Sequence, residues 1–430
     1  MKKLNIMKYL IVSCVFAPEP VVSSRTSTDL ANEFCRYGHH VRVITSFPNR
    51  PAGRLYNGYK RWLWAHDRSF VDYDVLRCFS FFSSQSSILS RFLENISFGL
   101  TSALAVLFSE RPDAIYGNTW PIFAQGLLAL VSFLRGIPLV MSVQDIYPET
   151  LLAQGRASKI HFFYAGPLRW LDKKIAQSCA AIVVISEQFR KIYTEDRKIS
   201  AERVHLIPNW MDEYQMQLSS GGEVIRKMHN IPMNAFLVVY AGNISFTSGL
   251  DSVILAFQKL NAQTCIYLLI AGEGSMLSNY EKLAQAIESP HICFHTPWLE
   301  SETSSLLGAA DLLILPTQGE QAMFSVPSKL ISYMLAGRPI LSCGNEKSEV
   351  ARLIHAAQCG WTIPRTSPEV VSEKLSWLAK RPREELEEYG KRGRNYALKE
   401  MTRVANLPKL ISLMDKIANH AREALHAFQE

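Results

Sequence analysis

A chain of 430 residues is long for one hydrophobic core and favours two domains. Its 20% charged and 48% hydrophobic residues exclude an intrinsically disordered protein. The formal charge of +7 is confined to residues 1–215, which hold 25 Lys+Arg against 18 Asp+Glu, while residues 216–430 hold 21 of each. Such an excess suits an anionic membrane surface, nucleic acid, or solvated surface charge with no partner. No nucleic-acid-binding module accompanies it, so nucleic acid is not expected as a partner.

The opening "MKKLNIMKYLIVSCVFAPEP" superficially resembles a signal peptide. Its short apolar run leads into Pro and Glu without a small-residue cleavage site, so it reads as a first strand of an unprocessed chain. A turn follows, then a helix around "STDLANEFCRYG" stopped at Gly38, then the strand "HVRVIT", making a β-α-β unit. Further strands are expected at "DVLRCFSF", "DAIYGNT", "PLVMSVQD", "AAIVVIS" and "RVHLIPN". Between them, "FGLTSALAVLF" and "IFAQGLLALVSFL" fall short of the ~20 apolar residues of a membrane span and read as buried helices. The polar stretch 211–232, with its Gly-Gly, reads as a linker region. The alternation then restarts with "FLVVYAGN", "CIYLLIAG", "ICFHTPW", "DLLILPT", "PILSC" and "GWTIP", and the chain closes on helical pattern.

The predicted fold class is therefore α/β, with two Rossmann-like, doubly wound domains facing a cleft. The first domain is placed at 1–215, the second at 216–400, and a C-terminal helix at 401–430. Eight scattered cysteines form no C-x-x-C pair and no zinc-like spacing with histidine, so they read as mostly buried free thiols in a reducing compartment. No metal site is expected.

Ligands of such sheets bind beyond the C-terminal strand ends. In the second half, "YAGNISFTSGLD" and "LLIAGEGSML" place Gly242, Gly249, Gly272 and Gly274 at strand ends, where backbone N–H groups can approach a phosphate. Plain β-α turns would look the same, and neither stretch matches G-x-G-x-x-G or a P-loop. In "SVPSKL", Pro327 suits the first turn of a helix, which puts Lys329 beside N–H groups that already carry positive partial charge. A lysine there is unfavourable by roughly 0.3–1 kcal/mol. A diphosphate lying against that helix end would use both its N–H groups and the ammonium; a solvated or salt-bridged lysine is the plainer alternative. In the first half, Glu19, Arg25, Arg50, Arg54, Asp145 and Glu149 fall near predicted strand ends. Asp145 closes a buried-looking strand, where a carboxylate needs a partner or a task, capping included. Arg50 and Arg54 suit an anionic acceptor or ordinary surface positions, and Glu149 suits a helix N-terminus.

Taken in order, "GHHVRVITSFPNRP", "QDIYPET", "YAGNISFTSGLD", "AGEGS" and "VPSKLISYMLAGRPI" resemble the family 4-type glycosyltransferases of GT-B fold. The likeness runs roughly from Tyr9 to Ile417 and is closest to the subgroup that builds bacterial surface polysaccharides, including its fucosaminyltransferase-like members. It implies an acceptor bound mainly by the first domain, a nucleotide-sugar bound by the second, and a C-terminal helix that returns to the first. It also implies retaining transfer without a metal or redox cofactor. By motif position, Gly242, Asn243, Gly272, Glu273, Ser328 and Lys329 would line the donor site, with Ser332 beside them, and Asp145 would lie near the reacting groups.

The sequence departs from the family at several of these places. Asn243 and Ser248 stand where many relatives carry Arg and Lys. Ser332 replaces a donor-side glutamate, Phe324 the first of the paired glutamates, and "APEPVVSS" lacks the glycine usual after the first strand. The expected function is transfer of a sugar from a nucleotide-sugar to a glycan or polyprenyl-linked acceptor in O-antigen, capsule or exopolysaccharide synthesis. The enzyme would be cytoplasmic and peripheral on the inner membrane face, where the basic first half and the aromatic "CFSFFSSQSSILSRF" favour contact with anionic lipid. A nucleotide-sugar 2-epimerase of similar architecture and a non-catalytic nucleotide-sugar-binding partner are the alternatives.

Overall fold

The computed structural model describes residues 6–50, 52–83, 88–118, 122–149, 159–212, 221–260, 264–318, 323, 326–364 and 367–429. The chain divides into two compact units. Of the described residues, the first gathers those up to 149, those from 159 to Asn209 and those from Asn406 onward; the second gathers those within Trp210–Ala405.

The first unit is built on an eight-stranded sheet of order β3-β4-β2-β1-β5-β6-β7-β8. Its strands are β1 (Lys8–Ser13), β2 (His40–Ser46), β3 (Trp64–His66), β4 (Asp74–Cys78), β5 (Ala114–Asn118), β6 (Leu139–Val143), β7 (Ala181–Val184) and β8 (Val204–Leu206). Every pairing is parallel except that of β3 with β4. β1, β5, β6 and β7 are buried along almost their whole length, which explains why they read as unbroken apolar runs. β3 was not expected: three residues, Trp64 among them, carry no alternation to read. Helix α1 (Val22–Arg36) ends before Gly38, whose φ of +81° is the left-handed stop its position implied.

Helices α2 (Ile88–Phe108) and α3 (Ile122–Leu134) hold the two most apolar stretches of the chain. Gly99 of α2 has its Cα against Ala124 of α3, where a Cβ would come within 3.0 Å of the backbone. The helices are not fully buried as expected. Leu100, Leu104 and Phe108 of α2, and Leu130, Phe133 and Leu134 of α3, face solvent. An apolar run all round a helix gives no sign of which stripe the sheet leaves uncovered.

The second unit carries a six-stranded parallel sheet of order β11-β10-β9-β12-β13-β14. It comprises β9 (Phe236–Ala241), β10 (Ile266–Ala271), β11 (Ile292–His295), β12 (Leu312–Pro316), β13 (Ile340–Cys343) and β14 (Gly360–Ile363). Leu237, Val239 and Leu269 point into one core and Val238, Tyr240 and Leu268 into the other, so both faces are packed. From β9 the chain winds outward through β10 and β11, then returns to place β12 on the other side of β9. The sheet therefore reverses direction between β9 and β12, and the crevice beyond their C-terminal ends is the place for a ligand. All eight cysteines are free; Cys78, Cys179, Cys343 and Cys359 are buried, whereas Cys265 is exposed.

Candidate active site

The helix Ser328–Leu335 follows β12 and brings its first turn to the end of β9. Pro327 precedes this helix with ψ 137°, one residue earlier than the sequence suggested, and Lys329 is its second residue. The first internal bond runs from Leu330 N–H to the Pro327 carbonyl at 2.9 Å, so the N–H groups of Ser328 and Lys329 lie ahead of it. One turn on, Tyr333 fixes the helix to the sheet: its hydroxyl accepts from Ala241 N–H at 2.8 Å and donates to the Ala241 carbonyl at 3.1 Å.

Lys329 reaches back across the end of β9. Its ammonium donates to the Tyr240 hydroxyl and, at 3.2 Å, to the Asn243 carbonyl, and lies 4.3 Å from the Tyr240 ring centroid. The Tyr240 hydroxyl in turn donates to the same carbonyl at 2.7 Å. Burial pushes the Tyr240 phenol up, so it stays neutral and supplies no counter-charge. Among the described residues no carboxylate pairs with Lys329, and desolvation pushes its ammonium down to about 8. The sequence placed this cation but missed Tyr240 and Tyr333; the one signal was a phenol at the penultimate position of an otherwise apolar strand.

The glycines make this approach possible. Gly242, at φ +141°, lies directly under the Lys329 side chain, and Gly272, also at +141°, lies against the Gly242 carbonyl. A Cβ at either position would overlap those atoms. Gly274 fits equally closely against the Ile244 carbonyl. Ile244 N–H then donates to the Glu273 carbonyl at 2.8 Å, tying the two strand-end loops together. Asn243 and Glu273 are exposed, with the Asn243 Oδ1 lying against Gly274. Ser328 is exposed as well, and Ser332 faces Met211 and the Ser328 carbonyl. The structure thus brings Gly242, Asn243, Gly272, Glu273, Ser328, Lys329 and Ser332 to one end of one sheet. Phe324 lies outside the described residues.

In the first unit the expected residues have different fates. Asp145 sits half-buried in the bend just past β6. Glu19 is buried and accepts three backbone N–H groups, from Asn49 and Arg50 at 2.9 and 2.8 Å and from Phe16 at 3.2 Å. Desolvation pushes its carboxyl up against the pull of those donors. It clamps the loops after β1 and β2. Arg50 pairs with Glu94 at 2.5 Å. Glu149 takes a helical position just after the Tyr147–Pro148 turn, as expected, and its carboxylate is held at 2.7 Å by the buried Arg197, which also binds Asp172 at 2.7 Å. Only Arg25, half-buried in the first turns of α1, and the exposed Arg54 lack a carboxylate partner among the described residues.

Two Rossmann-like units, with a cation-bearing, glycine-lined strand end in the second, define the GT-B class of proteins. The solved structure of HepE from Anabaena, in complex with UDP, superposes with a TM-score of 0.68 at 13% identity, covering 95% of this chain and 100% of that one. WaaG, described as a glycosyltransferase involved in lipopolysaccharide biosynthesis, superposes with a TM-score of 0.63 at 18% identity, covering 94% and 99%. The family model for Glycosyltransferase Family 4 matches residues 23–214, and that for Glycosyl transferases group 1 matches residues 222–396. The chain belongs to the family 4 glycosyltransferases of GT-B fold and is a glycosyltransferase. A relative in Escherichia coli K12, the putative colanic acid biosynthesis glycosyl transferase WcaI, is 25% identical over 81% of this chain and 86% of its own. The probable glycosyltransferase WbjE of Pseudomonas aeruginosa is 25% identical over 68% and 72%.

Proposed function

We propose that this enzyme transfers a sugar from a nucleoside diphosphate sugar to a glycan or polyprenyl-linked acceptor during bacterial cell-surface polysaccharide synthesis, at the cytoplasmic face of the membrane. The observation that carries the donor reading is Lys329: a half-buried ammonium with no carboxylate partner among the described residues, beside the first-turn N–H groups of its helix. Those groups suit the diphosphate, whose negative charge grows as it leaves the sugar, so preorganised donors there lower the barrier more than they strengthen ground-state binding. Gly242 and Gly272 keep the phosphate path open, and Asn243, Glu273 and Ser332 offer polar groups to the sugar or nucleoside. Asp145 stabilises the positive charge that develops on the sugar. Arg25 and Arg54 hold an anionic acceptor, while Glu19, Arg50 and Glu149 shape the loops around it. Transfer retains anomeric configuration and needs no metal.

The uridine diphosphate bound by HepE and the polysaccharide roles in its relatives' names support this reading. The test is release of UDP from UDP-sugars by the purified protein over a panel of polyprenyl-diphosphate-linked saccharides. Release that needs an acceptor, with the sugar recovered on it, is the expected result. Conversion of the nucleotide-sugar without acceptor would make the protein an epimerase, and tight binding without turnover a binding partner.

A further inference from the structure

We propose that the outward face of α2 and α3, bordered by residues 60–64, is an in-plane membrane-docking platform that inserts into anionic bilayers. This rests on the peripheral placement proposed above and assigns it to a surface. On α2, Leu100, Leu104, Leu107 and Phe108 recur at helical spacing on one stripe, with Phe108 82% exposed. On α3, Leu130, Phe133 and Leu134 continue the face, with Phe133 74% exposed. The close Gly99–Ala124 contact holds the two helices side by side.

The border is joined to this face by a specific bond: Trp64 Nε1–H donates to the Thr101 carbonyl of α2 at 3.1 Å. Next to it Trp62 is 61% exposed and Leu63 is also in solvent, flanked by exposed Lys60 and Arg61. The apolar face and the basic, tryptophan-bearing edge are therefore one surface.

The chemistry selects a bilayer over a protein partner. After Glu94, α2 carries no charged residue, and α3 carries none at all. A protein interface has a polar rim that fixes register, and a stripe of interchangeable Leu and Phe supplies none. Tryptophan next to lysine and arginine is the pattern of the headgroup boundary, and the excess positive charge of residues 1–215 has the sign that anionic lipid attracts. Among the described residues no helix is long and apolar enough to cross a membrane, so the helices would lie along the surface. The aromatic stretch from Cys78 is less suited to the task, since Phe79, Phe81 and Phe82 are half-buried and Phe82 lies under Arg61.

The test is co-sedimentation of the full chain with phosphatidylcholine vesicles that contain or lack phosphatidylglycerol. The expected result is binding to the anionic vesicles at low salt, with a fraction that persists at high salt through apolar insertion. Leu104→Glu with Phe133→Glu should lower partitioning about tenfold or more. The milder pair Leu107→Ser and Phe108→Ser, checked by thermal melting, separates lost docking from lost folding. Trp62→Phe should reduce quenching of tryptophan fluorescence by brominated lipid. Wild-type protein that ignores anionic vesicles, or folded variants that bind them unchanged, would overturn the proposal. So would a lipid-free dimer, seen by sedimentation velocity, that the same substitutions dissolve, since the face would then belong to a second copy. UDP binding by these variants, measured by calorimetry, reports the donor reading separately: its absence in all of them would sink that reading and leave the docking result standing.

Discussion

The Lys329 side chain runs over the bare Cα of Gly242, and there is room for it only because Gly242 has no Cβ. Gly242→Ala should therefore act mainly by dislodging a lysine 87 positions away, in addition to straining a backbone at φ +141°. UDP affinity should fall about as far as in Lys329→Ala, roughly 1–3 kcal/mol for a lost charge-assisted contact. Calorimetry on both variants checks this. A Gly242→Ala protein that binds UDP normally would remove Lys329 from the donor site.

The same lysine predicts a pH dependence. Burial leaves it titrating near 8 in the empty site, whereas a bound diphosphate favours the charged form and raises that value. Binding should take up a proton around that pH, and UDP affinity should be level in the neutral range and fall as pH rises through about 8. Lys329→Met should bind more weakly and lose the alkaline decline. Titrations in buffers of different ionisation enthalpy read the proton directly.

Arg197 is the centre of a second electrostatic group, within the first unit. Its guanidinium binds Asp172 and Glu149, and Asp172 also accepts from the Tyr193 hydroxyl at 2.8 Å. Arg197→Met would leave the buried Asp172 without its cation and Glu149 with only the exposed Arg169 at 3.4 Å, and should cost about 3–5 kcal/mol in urea unfolding. Without the arginine the Asp172 carboxyl, already raised by burial, should titrate higher still, so the deficit should shrink as pH falls. Glu149→Gln should change stability and leave acceptor KM in place; a raised acceptor KM with unchanged stability would return Glu149 to the site.

Asp145→Asn tests the role proposed for the bend after β6. If the carboxylate matters most when the sugar carries positive charge, kcat should drop far more than donor affinity. Single-turnover kinetics with calorimetry separates the two. Near-normal turnover would leave Asp145 a structural part of the bend.

Much of this architecture was legible because, β3 apart, both sheets are parallel and their central strands are buried. β1, β9 and β10 announce themselves as apolar runs ending in turn residues, and the Lys329 anomaly follows from helix electrostatics alone. What stayed hidden depends on contacts between distant segments. Nothing near Glu19 in sequence says that the N–H groups of Asn49 and Arg50 will surround it, and nothing near Glu149 announces Arg197. Tyr333 looks like any core aromatic until Ala241 is known to lie beneath it. The face of α2 and α3 was misread for a related reason: composition gives apolarity, but only packing decides which side remains wet.

The last helical segment sets an order of events during synthesis. Tyr9, in the first strand, donates to Asp415, and Asp113 is bound by Arg422 at 2.8 Å. These partners of β1 and of the turn before β5 leave the ribosome only after the whole second unit has been made. The first unit therefore waits, incomplete, while Trp210–Ala405 is made, with the edge that receives Asn406–Glu430 uncovered. A chain stopped at Ala405 should stay in that waiting state. Amide exchange in β1 would report it as protection lost in the truncated chain and regained when the missing segment is supplied as a peptide.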